Sequence, residues 1–433
     1  MLLVAACHQR AAVPPAPAAT PAPAGDSFFA HAYDHRPSIA KLTDLGRRLF
    51  SDPILSVNDQ LACSSCHDAR RAFGPPAGEA MPRGGASMTA TGYRAVPSLR
   101  YQQSAPPFSL HFFDEDSDES VDQGPTGGRT WDGRVNSAHD QARMPILAAN
   151  EMANPDPESV AARVAARYGS ELRALFGDSL TGRLQDVFDA TVLALEVYQQ
   201  DPTEFYPFSS RYDAWLRGKA SLSPKEMRGL KAFTDPRKGN CASCHPNQIR
   251  QGAFPLFTDF GYTALGVPRN RTLPANRDPE FHDLGLCGPV RTDLRGQAKY
   301  CGLFRVPSLR NVAVRGTFFH NGVMRDLRQV VRFYARRDTH PQEWYPAGSR
   351  GEASRYDDLP ERYVGNVNHE PPFDRQPGQK PALSEADVAD IVAFLGTLTD
   401  ADVTAAKSSL PKQTLLRSVS SRRPRGAATL VLR

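Results

Sequence analysis

Leu45-Gly-Arg-Arg-Leu-Phe-Ser-Asp-Pro53 stands ahead of Cys63-Ser-Ser-Cys-His67, and Gly229-Leu-Lys-Ala-Phe-Thr-Asp-Pro236 stands ahead of Cys241-Ala-Ser-Cys-His245. Each run reads as a helix stopped by a Ser/Thr-Asp-Pro turn, because proline cannot continue a helix. Each is followed by Cys-x-x-Cys-His, in which two thiols add to haem vinyl groups and the adjacent histidine is held against the iron. A single copy also fits a zinc site or a redox thiol pair. Two copies, each behind the same turn, point to two covalently attached c-type haems, with His67 and His245 as proximal ligands. The pattern is an internal repeat.

Working outward, Ser223-Pro-Lys-Glu226 is a capping box with proline at the first helical position, so the second repeat helix has a defined start. Apolar residues at three- and four-residue spacing predict helices over 158–176, 184–198 and 327–334, and a closing one that begins at Ser384. Strand patterns are scarce. The expected fold is all-α: two cytochrome c-like haem domains with long loops and little β-structure. The expected division is a leader and Pro/Ala-rich tether (1–26), an N-terminal cytochrome c domain (27–215), a C-terminal one (216–404) and a basic tail (405–433).

The formal charge of +5 comes from the tail, where seven Lys and Arg face no acid, leaving −2 on the rest. Such a tail reads as a solvated end, and nothing argues for nucleic acid. No run of eighteen apolar residues is present. Val4-Ala-Ala-Cys7 has the form of a bacterial lipobox; a chance cysteine in a leader is the other reading. Haem attachment of this type occurs outside the bacterial cytoplasm, so the expected location is the periplasm or cell envelope, with a lipid anchor left open. Of the seven cysteines, Cys287 and Cys301 remain outside the haem motifs and the leader. In an oxidising compartment they read most simply as a disulfide closing a polar loop.

The sixth position of each iron decides between electron transfer and peroxide chemistry. His111, Met81 and Met88 are available to the first haem, none in a diagnostic context. Further on come Trp131-Asp-Gly-Arg134, then Gln141 and Glu151-Met152, ten and twenty positions after the tryptophan. The C-terminal half adds Phe304-Arg-Val-Pro-Ser-Leu-Arg-Asn311, Phe319-His-Asn-Gly322 and Leu327-Arg-Gln-Val-Val-Arg-Phe-Tyr334. With these motifs the chain resembles the bacterial di-haem cytochrome c peroxidase and MauG superfamily from about Lys41 to Leu398. The resemblance implies that Glu151 moves a proton across bound peroxide, that Gln141 is its neighbour, and that Trp131 relays electrons between the haems. It also implies that Tyr334 is the sixth ligand of the second iron, as in MauG-like enzymes. Met324, or a purely structural Tyr334, stands as the competing assignment.

Two further features narrow the resemblance, and one departure follows them. The segment 74–96 has no histidine, so the first haem is expected to be open at rest. Tyr300-Cys-Gly-Leu-Phe304 and Arg336-Arg-Asp-Thr-His-Pro341, with Trp344-Tyr-Pro346 after them, look most like the MbnH branch, whose members convert a tryptophan of a small partner protein to kynurenine. Calcium between the haems is left open, because the positions that match its ligands are Tyr101, Arg315 and Thr317. The expected activity is that of a di-haem peroxidase-type oxidoreductase. It uses hydrogen peroxide to reach a high-valent state shared by two haems, which oxidises a residue, by resemblance a tryptophan, of a partner encoded by a neighbouring gene. Two alternatives stand beside it. One is a scavenger of peroxide fed by a small redox protein; the other is a non-enzymatic electron carrier, which leaves Gln141 and Glu151 without a role.

Overall fold

The computed structural model describes residues 37–76, 79–112, 122–348 and 351–404. The leader with Cys7, most of the acidic insert after Phe112 and the basic tail lie outside the described residues. Ten α-helices are described: α1 Ile39–Ser51, α2 Cys63–Cys66, α3 Ala138–Leu147, α4 Pro157–Phe176, α5 Leu184–Tyr198, α6 Pro202–Phe205, α7 Arg211–Leu216, α8 Pro224–Thr234, α9 Leu327–Arg336 and α10 Glu385–Gly396. Strand structure among these residues is one antiparallel pair, Tyr262–Thr263 against Phe304–Arg305. The fold is mostly helical, and no described helix is long and apolar enough to cross a membrane.

The repeat in the sequence is a repeat in space. Helix α1 crosses α5, and α8 crosses α10. Gly46 sits where the first pair touch: a Cβ there would lie 2.0 Å from the carbonyl oxygen of Ala194 and 2.8 Å from the Cβ of Tyr198. Gly229 does the same in the second pair, 2.0 Å from the carbonyl oxygen of Asp390 and 2.9 Å from the Cβ of Phe394. In both, a phenylalanine follows four residues after the glycine, and both are buried. Only a residue without a side chain permits helix backbones to approach so closely.

Local signals explain the helix ends. Ser223 and Glu226 form the reciprocal capping box read from the sequence, and Ser384 caps α10 with Asp387 in the same way. Asp156 caps α4 ahead of Pro157. Helix α3 runs through Pro145, a position that periodicity alone would mark as a break.

Two apolar cores result. One gathers buried residues from Leu42 to Phe205, the other from Tyr212 to Leu398, and the chain passes between them at Tyr206–Arg211. The fully buried Asp400 joins the halves: it accepts hydrogen bonds from Arg100 (2.9 Å), the Tyr101 hydroxyl (2.7 Å) and the Asn311 amide (2.6 Å). Breaking such a buried ionic cluster on one side strands a charge, at a cost of about 3–5 kcal/mol.

Candidate active site

Each Cys-x-x-Cys-His turn is closed by the histidine amide, which donates to the carbonyl of the first cysteine, His67 to Cys63 and His245 to Cys241, both at 2.9 Å. The ring is then fixed by a second bond. His67 Nδ1–H donates to the Phe73 carbonyl at 2.9 Å, and His245 Nδ1–H to the Phe257 carbonyl at 2.7 Å. A carbonyl only accepts, so Nδ1 carries the proton and Nε2 keeps its lone pair for a metal. Burial pulls both imidazoles down to about 4, so they are neutral at physiological pH. Cys63, Cys66, Cys241 and Cys244 are free. Burial pushes the first three thiols up to about 12, which disfavours the thiolate that a zinc site or redox pair requires.

Around His245 lies a cavity of about 890 Å³, inside the ~300–1,000 Å³ range of cofactor clefts. Cys241, Cys244 and His245 are in its wall, and so is Tyr334 from α9. The Tyr334 ring packs between Phe319 and Phe373, at centroid distances of 6.4 and 5.3 Å. Burial raises its hydroxyl well above the usual phenol range, with Arg337 acting in the opposite direction. Met324, the competing ligand, is 2% exposed, packs in the C-terminal core and does not reach the cavity wall.

At the first motif, Glu151 follows α3 and is anchored by its backbone: its amide donates to Ala148 and its carbonyl accepts from Gly85 at 2.7 Å. The loop that lacks a histidine thus packs on the residue expected to work opposite the first iron. The Glu151 side chain is exposed, yet the chain packed around it still desolvates and raises its carboxyl; Arg134 opposes this, and the Glu151 charge in turn raises both Cys63 and Cys66. Gln141 is half-buried on α3, and no described hydrogen bond joins its side chain to Glu151. His111 is exposed and bound to Asp122 at 2.5 Å, while Met88 packs on the N-terminal core.

Trp131 connects the two sites. Its indole is 8% exposed, lies in the wall of the His245 cavity and donates to the Ala95 carbonyl at 2.7 Å. The strip Ala95–Pro97 makes the rest of the link. Ala95 N–H donates to the His320 carbonyl at 2.6 Å, and the Pro97 carbonyl bears on His67. No motif marks this strip in the sequence.

The residues fit haem in a further respect. Arg129, Arg305 and Arg315 are enclosed in the seam between the halves, and burial lowers all three. None has a carboxylate within ion-pair distance among the described residues; Arg305 and Arg315 donate to carbonyls and an amide, and Arg129 Nε has no acceptor. A buried guanidinium without an anion is unfavourable, and the propionates of two haems would supply anions there. Calcium does not fit. Arg315 itself occupies the matching place, donating to the carbonyls of Val96 (3.3 Å) and Thr317 (3.4 Å), and the Tyr101 hydroxyl is committed to Asp400. A cation at those carbonyls would meet a guanidinium instead of a carboxylate. Away from the seam, Cys287 and Cys301 form a disulfide.

Comparison with known proteins agrees with this geometry. Residues 40–221 match the family described as di-haem cytochrome c peroxidase. The methylamine utilization protein MauG of Paracoccus denitrificans is 36% identical over 382 residues, which is 84% of this chain and 90% of its own. The cytochrome c551 peroxidase of Pseudomonas aeruginosa is 28% identical, covering 66% of this chain and 70% of its own. The crystal structure of the diheme peroxidase BthA from Burkholderia thailandensis superposes with a TM-score of 0.75 at 41% identity, over 85% of this chain and 88% of that one.

Proposed function

We infer that this chain, which belongs to the di-haem cytochrome c peroxidase family, uses hydrogen peroxide to oxidise a partner protein at a distance. It is a peroxidase-type oxidoreductase with two haems. The finer reading is that Cys63, Cys66, Cys241 and Cys244 would hold the haems by thioether links, with Glu151 placed for peroxide at the first and Tyr334 available as a ligand at the second. The observation that carries it is the placement of Tyr334, and not Met324, in the wall of the cavity around His245.

Bound haem supplies an iron that accepts and gives up electrons, with a potential set by its axial ligands. The chain's residues do the rest. Glu151, its carboxyl raised by the desolvating chain around it, is suited to take the proton from one peroxide oxygen and deliver it to the other. Trp131 loses an electron without losing a proton, since its N–H faces a backbone carbonyl that cannot hold one. Tyr334 offers a phenolic oxygen that burial keeps protonated on its own; with its proton displaced by iron it would be a hard anionic donor that favours oxidised iron, where a thioether favours reduced iron. That difference argues for oxidation of a protein residue, by resemblance a tryptophan of a neighbouring gene's product, over scavenging. Location in the periplasm or cell envelope is part of the same proposal.

The test uses the holoenzyme with the neighbouring gene's product and peroxide. Mass spectrometry should find oxidised tryptophan in the partner with the wild type and none with Y334M. Equal modification by both proteins would remove Tyr334 from the function.

A further inference from the structure

A second cavity, of about 1250 Å³, lies beside the one around His245, and Leu359 is in the wall of both. Four arginines line it: Arg269, Arg271 and Arg355 are paired with Asp358, Asp357 and Asp338, while the exposed Arg277 has no ion pair among the described residues. At its inner side is Tyr356, only 4% exposed. The Tyr356 ring packs directly against Gly266: a Cβ at that glycine would be 2.2 Å from the ring carbon Cδ1. Gly266 is in turn part of the haem-cavity wall, so one glycine separates the ring from that cavity. Any larger residue at 266 would push the ring away.

The placement is enforced. Tyr356 has φ of +63°, a conformation that a bulky residue keeps only when its surroundings demand it. The Tyr345 ring meets it edge-on at 5.7 Å and donates its own hydroxyl to the Gly266 carbonyl at 2.6 Å. The fully buried Arg337 guanidinium lies 5.4 Å from the Tyr356 ring and 3.9 Å from that of Phe373, which is 5.3 Å from the Tyr334 ring. The chemistry of the hydroxyl is also specific. It donates to Asp338 Oδ1 at 2.8 Å, and Arg355 donates to it at 2.5 Å. A phenol that loses an electron becomes a strong acid, and a buried carboxylate at hydrogen-bond distance is a ready acceptor for its proton.

We propose that Tyr356 relays electrons to the second haem site from an acidic protein surface docked at Arg277 on the mouth of this cavity. The inference rests on the function inferred above. Hydrogen peroxide is the oxidant: two electrons and two protons turn it into two waters. For each electron, Tyr356 gives up an electron towards the haem cavity and its phenolic proton moves to Asp338. The docked donor then returns one electron to the ring, and Asp338 returns the proton.

The experiment treats the holoenzyme with peroxide and a nitroso spin trap, without a donor, and maps adducts by peptide mass spectrometry. The expected adduct is on Tyr356; it disappears in Y356F, persists in Y206F, a half-buried tyrosine of the N-terminal core, and is suppressed by ferrocyanide, a small anionic one-electron donor. R277E should raise the KM for ferrocyanide while kcat is kept. An adduct on Trp344 or Trp215 in place of Tyr356 overturns the relay, as does a Y356F enzyme that oxidises ferrocyanide at the wild-type rate. A wild-type holoenzyme that consumes no peroxide overturns the function and the relay together, a different result from either.

Discussion

Gly46 against Ala194 and Gly229 against Asp390 make the same helix crossing, and Phe73 and Phe257 hold the two histidines through the same carbonyl bond. Past the histidines the halves diverge. Near the first motif stands Glu151, an acid on a loop held by Gly85; opposite the second stands Tyr334, fixed on a helix among Phe319 and Phe373. The proximal side of a haem is thus a transferable unit written in local sequence. The proposed function gives one half proton chemistry and the other a redox-tuning ligand on the distal side, and makes Trp131, bonded to the Ala95–Pro97 strip beside His67, the link between them.

The sharpest way to break this contrast is at Glu151. E151Q keeps the volume and the backbone anchors but removes the proton shuttle. Oxidation of the haems by peroxide, followed by stopped-flow absorbance, should slow by about 10²- to 10⁴-fold. A wild-type rate would make the two distal sides more alike than proposed and would leave Glu151 a structural loop residue.

The legibility of the molecule follows the same division. Helix α5 matches its periodicity over Leu184–Tyr198, α8 starts at the box Ser223–Glu226, and each attachment turn is contiguous in sequence, whereas the glycine crossings join segments that only the fold brings together. Helix α3 was hidden because Pro145 lies inside it, and α7 because six residues carry too little periodicity. Trp131, Glu151 and Tyr334 were visible through resemblance, since their register relative to one another carries the information. Arg129, Arg305 and Arg315 were not, because a surface arginine and a buried one look the same in a sequence. Tyr356 and Gly266 are ninety positions apart, and neither has a local pattern; only the fold brings them into contact.

The shared part of the plan is tested by a matched pair, G46A and G229A. Each adds a methyl group that would lie 2.0 Å from a backbone oxygen of the partner helix. The helices must separate, and overpacking of this kind costs up to about 3 kcal/mol. Chemical denaturation of the two holoenzymes should show similar losses. A large loss in one and none in the other would mean that the crossings are alike in geometry but not in the stability they confer.

The smallest effect lies in the turn that both repeat helices share. Asp235 serves only its own turn, accepting from the Arg237 amide at 2.9 Å and pairing with the exposed Arg237 side chain. Asp52, at the equivalent place, is 9% exposed and accepts from the Ile54 amide (3.0 Å), from Arg167 (2.6 Å) and from the Tyr168 hydroxyl (2.6 Å). Burial alone would raise the Asp52 carboxyl; the Tyr168 hydroxyl, the Ile54 amide and Arg167 more than offset it and hold it below the usual carboxylate range. The folded chain therefore binds that proton more weakly than the unfolded chain. Ionised Asp52 contributes stability at neutral pH, and the contribution is lost as pH falls through the folded value. D52N should cost about 1 kcal/mol at neutral pH, the scale of a capping interaction, and the gap to wild type should narrow as pH falls below the usual carboxylate range. D235N should cost less at neutral pH. Thermal melting of both variants across that pH range measures the difference, and a D52N gap that stays constant would show that the Asp52 charge adds nothing beyond its hydrogen bonds.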